Sequence, residues 1–133
     1  MAKNKSAKNK SSVKLWIAGA RLRTLPLAIA PVLIGWGVAA SVQSFKLDLA
    51  LLALAVALFL QIGVNYANDY SDGIRGTDEF RVGPLRLTGS KSVRPELVKY
   101  AAFAFFGLAA LAGLAIVVIT GFWWPIAWRS PRR

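Results

Sequence analysis

The chain has 133 residues, 56% of them hydrophobic and only 17% charged. Globular domains typically carry about 45–50% and 25%, so a soluble domain is disfavoured and a few membrane spans fit the length. No cysteine and no histidine are present, which excludes a disulfide framework, a thiolate metal site and histidine as general base. The formal net charge of +11, on so apolar a chain, points to membrane topology and anionic partners and not to nucleic acid.

Residues 1–14 hold Lys3, Lys5, Lys8, Lys10 and Lys14 and no acid. They are expected to form a disordered cytoplasmic tail that sets orientation. The tail lacks the interleaved aromatic residues of a nucleic-acid arm. A signal peptide is disfavoured, because the following apolar run is long, contains two prolines and is preceded by Arg21 and Arg23. Residues 15–20, LWIAGA, read as a short interfacial approach anchored by Trp16.

The first span is placed at 24–42. It carries no charge, and Pro26 and Pro31 are expected to kink it. Arg21 and Arg23 at its inner end either snorkel to headgroups or reach a diphosphate. The second span, rich in Leu and Ala, is placed at 47–67. A cytoplasmic loop over 70–95 follows, with Arg75, Arg81, Arg86, Lys91 and Arg94 on the side that the positive-inside bias favours. Pro95 opens a third helix that spans at 100–122, with Phe122, Trp123 and Trp124 as an aromatic belt. The basic tail 125–133 then falls on the outer side, against that bias. The sequence therefore predicts an all-α membrane protein with three transmembrane helices. The atypical tail and the small number of spans suggest a fragment.

The chemistry concentrates between Gln61 and Ser90. At about 100° per residue, Gln61, Asn65, Asn68, Asp69 and Asp72 fall within an arc of roughly 100° on one helix. Polar residues inside an apolar run are expensive and usually functional. Asp78 follows after Gly73 and Gly76, which are expected to loosen the backbone so that Asp78 swings back. Crowded carboxylates repel, and a divalent cation relieves the repulsion. Oxygen donors without His or Cys favour Mg2+ or Mn2+, whose remaining positions take water and substrate phosphate. A solvated loop with ordinary Asp-Gly turns is the plainer alternative. In RVGPLR, Arg81 and Arg86 flank a Gly-Pro turn; they either clamp phosphate oxygens or serve only as topogenic charges.

These residues resemble the UbiA superfamily of intramembrane prenyltransferases, and within it the MenA type. Asn68, Asp72 and Asp78 match the family's first Asp-rich motif, and the wide spacing before Asp78 with Gly76 in front of it is MenA-like. RVGPLR at 81–86, WIAGARLRTLP at 16–26 and APVLIGWG at 30–37 are similar to the same type. The similarity covers 15–124. Leu22 stands where the family commonly has Pro. A nine-helix bundle and a second Asp-rich motif are also family features, so the chain corresponds to the N-terminal third.

The resemblance implies transfer of a polyprenyl chain from its diphosphate to 1,4-dihydroxy-2-naphthoate, giving demethylmenaquinone and CO2 in menaquinone biosynthesis. It implies Mg2+ held by Asn68, Asp72 and Asp78 as the catalytic set. Arg23, Arg81, Arg86 and Asp69 are then candidates for contact with the diphosphate, Asp69 as a neighbouring acceptor. The polyprenyl diphosphate, the naphthoate acceptor and the lipid bilayer are the partners, in the cell membrane with the N-terminus cytoplasmic. Alternatives are a UbiA-type enzyme for another aromatic acceptor and a non-catalytic membrane polypeptide. A CDP-alcohol phosphotransferase shares the Asp72-Gly73 start, but the rest of its motif is absent.

Overall fold

Runs of Leu, Ala, Ile and Val that cross a bilayer must satisfy their backbone polar groups internally, which a helix does. The computed structural model describes residues 13–76, 87–89 and 91–123, and every regular element among them is helical. Helix α1 occupies 13–20. A 3-10 turn at Leu22–Thr24 follows, then α2 (Leu25–Ser41), α3 (Leu47–Arg75) and α4 (Pro95–Thr120). Three stretches are long and apolar enough to cross a membrane: Val13–Ser41, Leu47–Arg75 and Pro95–Thr120. The chain is an all-α, multi-pass membrane protein.

Local chemistry sets the helix ends. Pro95 occupies the first turn of α4, where its missing N–H has no helical partner to lose, and Glu96 beside it suits the positive end of the dipole. Gly76 and Gly121 close α3 and α4 at φ 66° and 65°, the left-handed conformation that glycine adopts without a Cβ penalty.

Two expectations need correction. Pro26 sits in the first turn of α2, where proline is tolerated, so it starts the helix and does not kink it. Pro31 lies in the helix interior, and α2 runs on to Ser41. Arg21 at φ 52° separates α1 from the 3-10 turn, and α1 folds against α3. Finally, α3 runs to Arg75, past the span end expected at 67, so residues 70–75 are helical and not loop.

Helix α3 is central. It packs extensively along α4 and more lightly on α2. The buried cluster of Ala20, Tyr66, Leu87, Val98 and Ala102 sits at the end of the bundle where α3 finishes and α4 begins. Trp16 on α1 meets the Tyr66 ring edge-on at 5.5 Å, and the Tyr66 hydroxyl donates to the Trp16 carbonyl at 2.9 Å. Phe105 on α4 packs on the other side of Tyr66 at 5.8 Å. Away from this end the helices present apolar side chains outward, among them Leu27 (74% exposed) and Leu111 (65%). Water would penalise that surface, whereas lipid does not.

Candidate active site

The polar stripe of α3 is real, and the structure divides it lengthwise. One edge, Asn65 and Asp69, is buried against neighbouring segments at 3% and 1% exposure. The other edge, Asn68 and Asp72, one turn apart, is exposed and half-buried respectively. Gln61 lies half-buried one turn before Asn65.

The buried edge is used for tying segments together. The Asn65 carboxamide donates to the Ala20 carbonyl at 2.8 Å and to Thr24 Oγ1 at 2.9 Å. Ala20 ends α1, so its carbonyl is one of the groups that a helix end leaves without an internal partner. Gln61 Nε2 reaches the same Thr24 hydroxyl at 3.3 Å, and that hydroxyl donates to the Arg21 carbonyl at 2.8 Å. The left-handed Arg21 and the turn that carries exposed Arg23 are therefore held on the stripe side of α3.

Asp69 does the same for the loop. Its Oδ2 accepts the Leu87 N–H at 2.9 Å and its Oδ1 accepts the Thr88 N–H at 3.3 Å. Leu87 is fully buried, and its side chain lies where a Cβ on Gly19 would approach Leu87 Cδ1 to 2.6 Å. A Cβ on Gly73 would collide with Thr88 Cγ2 and Cβ. Gly73 is therefore needed for close approach of the loop to α3, and it lies within the helix where it was expected to loosen the backbone. The helix ends at Gly76, and Asp78, expected to swing back after it, lies outside the described residues.

Tyr70 is half-buried beside the core, with Lys99 Nζ 5.9 Å from its ring centroid, a cation–π approach. Asp78, Arg81 and Arg86 lie outside the described residues, as do 1–12 and 124–133; Val13 and Lys14, expected in the disordered tail, begin α1. Among the described residues no group of three carboxylates, histidines or cysteines converges on a metal position. Asn68 and Asp72 offer two oxygen donors of the kind Mg2+ accepts, and Mg2+ takes few protein ligands and leaves the rest to water and phosphate. The donor chemistry therefore fits.

Sequence reasoning missed Ala20, Thr24, Leu87 and Thr88 as partners of the stripe. Leu87 carried a faint signal, an apolar residue between Arg86 and Thr88. Backbone acceptors such as the Ala20 carbonyl leave no mark in a sequence.

No family model and no solved structure matches the chain. Curated relatives do. It is 56% identical over 113 residues to the 1,4-dihydroxy-2-naphthoate octaprenyltransferase of Mycobacterium tuberculosis (strain ATCC 25618 / H37Rv), a match covering 85% of this chain and 39% of that protein. It is 38% identical over 110 residues to the enzyme of the same name from Escherichia coli (strain K12), covering 82% of the chain and 36% of the relative. The Bacillus subtilis (strain 168) enzyme is 32% identical over 104 residues, covering 77% and 33%. The chain thus spans well under half the length of the curated relatives it matches. Over most of its own length it is homologous to part of the 1,4-dihydroxy-2-naphthoate octaprenyltransferases, and it belongs among the MenA-type prenyltransferase sequences.

Proposed function

We propose that the chain carries the first Asp-rich half-site for transfer of a polyprenyl group from its diphosphate to 1,4-dihydroxy-2-naphthoate, a step of menaquinone biosynthesis. The single observation that supports this best is the division of the α3 stripe. Asn65 and Asp69 on its buried edge tie neighbouring segments to α3, and Asn68 and Asp72 on the other edge are exposed and half-buried at the same end of the helix.

Asn68 and Asp72, joined by Asp78, would hold Mg2+ between protein and diphosphate. When bound, the ion supplies neutralisation of the charge that develops on the leaving diphosphate. Arg23, on a turn fixed by Asn65, and Arg81 and Arg86, in the loop, contribute fixed positive charge for the phosphate oxygens. The outward apolar faces of α2 and α4 give an isoprenoid tail and lipid the same kind of wall. The lysines of 1–14 and the arginines of the loop support residence in the cell membrane with the N-terminal tail cytoplasmic, through the positive-inside bias.

The test is a prenyl transfer assay on the purified 133-residue protein in lipid, with radiolabelled polyprenyl diphosphate, 1,4-dihydroxy-2-naphthoate and Mg2+. Product that disappears on chelation supports the whole reading. Mg2+-dependent diphosphate binding without product supports the half-site alone, and a non-catalytic polypeptide. Neither binding nor product overturns the proposal.

A further inference from the structure

We infer that Asp69 is a positioning residue that pins the return of the basic loop to α3, and not a ligand of metal or diphosphate. The inference rests on the diphosphate reading above for its functional half, and on geometry alone for the pin.

Both carboxylate oxygens of Asp69 are occupied by backbone N–H groups of Leu87 and Thr88, and the residue is 1% exposed. Each oxygen already accepts one backbone N–H, and burial at 1% exposure closes the remaining acceptor directions to solvent-borne ions, whereas Asn68 on the other edge of the stripe is exposed. Its charge is answered by two peptide dipoles, an arrangement stronger than neutral hydrogen bonds.

The position of the pin matters. From Asp69 to Arg75 α3 rises about 9 Å. The chain leaves α3 at Gly76 and is back beside Asp69 at Leu87. The clamp fixes where the loop ends. Three contacts fix the same point independently: the Asp69 carboxylate, Leu87 buried against Gly19 and Tyr66, and Thr88 against Gly73. The Leu87 carbonyl also accepts the Val93 N–H at 3.2 Å and the Thr88 carbonyl accepts the Lys91 N–H at 3.0 Å, so the clamped residues continue into the turn that precedes α4. Arg86 directly precedes Leu87 in the sequence, and Asp78 and Arg81 lie between Gly76 and Leu87. The carboxylate thus acts on the site through the loop's backbone.

The test compares the full chain with Asp69→Asn and Asp69→Ala in lipid, using two readouts. The first is hydrogen exchange at the Leu87 and Thr88 amides without ligand. Asp69→Ala is expected to speed exchange at both by roughly ten- to a hundredfold, and Asp69→Asn less, since the carboxamide keeps one acceptor. The second is Mg2+-dependent binding of inorganic pyrophosphate, with far-UV circular dichroism to verify that each variant keeps its helices. Affinity is expected to fall in Asp69→Ala and recover partly in Asp69→Asn, in the order of amide protection. Unchanged exchange in Asp69→Ala overturns the pin. Faster exchange with unchanged pyrophosphate affinity overturns the link to the site. Equal loss of affinity in both variants, while Asp69→Asn keeps its amides protected, makes Asp69 a direct ligand and overturns the inference. Absence of pyrophosphate binding in the unmodified chain defeats the diphosphate reading instead, and the exchange data still decide the pin.

Discussion

The Asn65 carboxamide donates to the Ala20 carbonyl at 2.8 Å, joining the middle of one membrane helix to the end of another segment 45 positions earlier. Both groups are buried, so neither has water as an alternative partner. Removing the donor as Asn65→Ala is expected to cost about 1–3 kcal/mol. Asn65→Leu is expected to cost a similar amount, because an apolar side chain leaves the same carbonyl stranded. Reversible unfolding in detergent measures it; stability equal to the unmodified chain in both variants would remove the tie from the list of fold determinants.

Gly73 and Thr88 give a second expectation. A Cβ at Gly73 would overlap both Cβ and Cγ2 of Thr88. Gly73→Ala is therefore expected to destabilise by about 1–3 kcal/mol, as overpacking does. Thr88→Gly removes both clashing atoms and should relieve most of the steric term, whereas Thr88→Ser keeps the Cβ and should not. Coupling between the two positions is read from a double-mutant cycle. Gly113, with nothing within 4 Å of its would-be Cβ, is the control: Gly113→Ala should be neutral or stabilising by up to about 1 kcal/mol through helix propensity.

Tyr66→Phe tests the fold of α1 onto α3. The ring contacts with Trp16 and Phe105 remain, and only the bond from hydroxyl to the Trp16 carbonyl is lost. A loss of about 1 kcal/mol is expected, with hydrogen exchange rising in 13–20 more than in α4. Uniform exchange across the chain would mean that α1 is not held separately.

Much of this architecture was legible because bilayers permit so few backbone solutions. The apolar runs, Pro95 and Gly76 mark helices and their ends through chemistry local to each residue, whereas Gly121, which ends α4, falls inside the span expected at 100–122. The α3 stripe was legible from its period alone. What the period could not say is which edge of the stripe is covered, since that depends on Ala20, Thr24, Leu87 and Thr88, residues remote in sequence. Asp69 and Asp72 look alike in the sequence and part company only once Leu87 and Thr88 dock. The separation of 15–20 from the span at 24–42 was legible, but Arg21 gave no local reason to adopt the left-handed conformation that makes it. Gly73 was legible as a glycine with a purpose, but the purpose is a neighbour's methyl group and not freedom of the backbone.

The half-site reading stands on Asn68, exposed, and Asp72, half-buried one turn further along α3. Its most direct measurement is a titration of the 133-residue chain, in lipid, with a fluorescent polyprenyl diphosphate at increasing Mg2+, beside Asp72→Asn. Saturable binding that requires Mg2+ and weakens about tenfold or more in Asp72→Asn, a difference of about 1.4 kcal/mol or more, is the expected result. Binding of equal strength with Mg2+ chelated, or an unchanged affinity in Asp72→Asn, would contradict it.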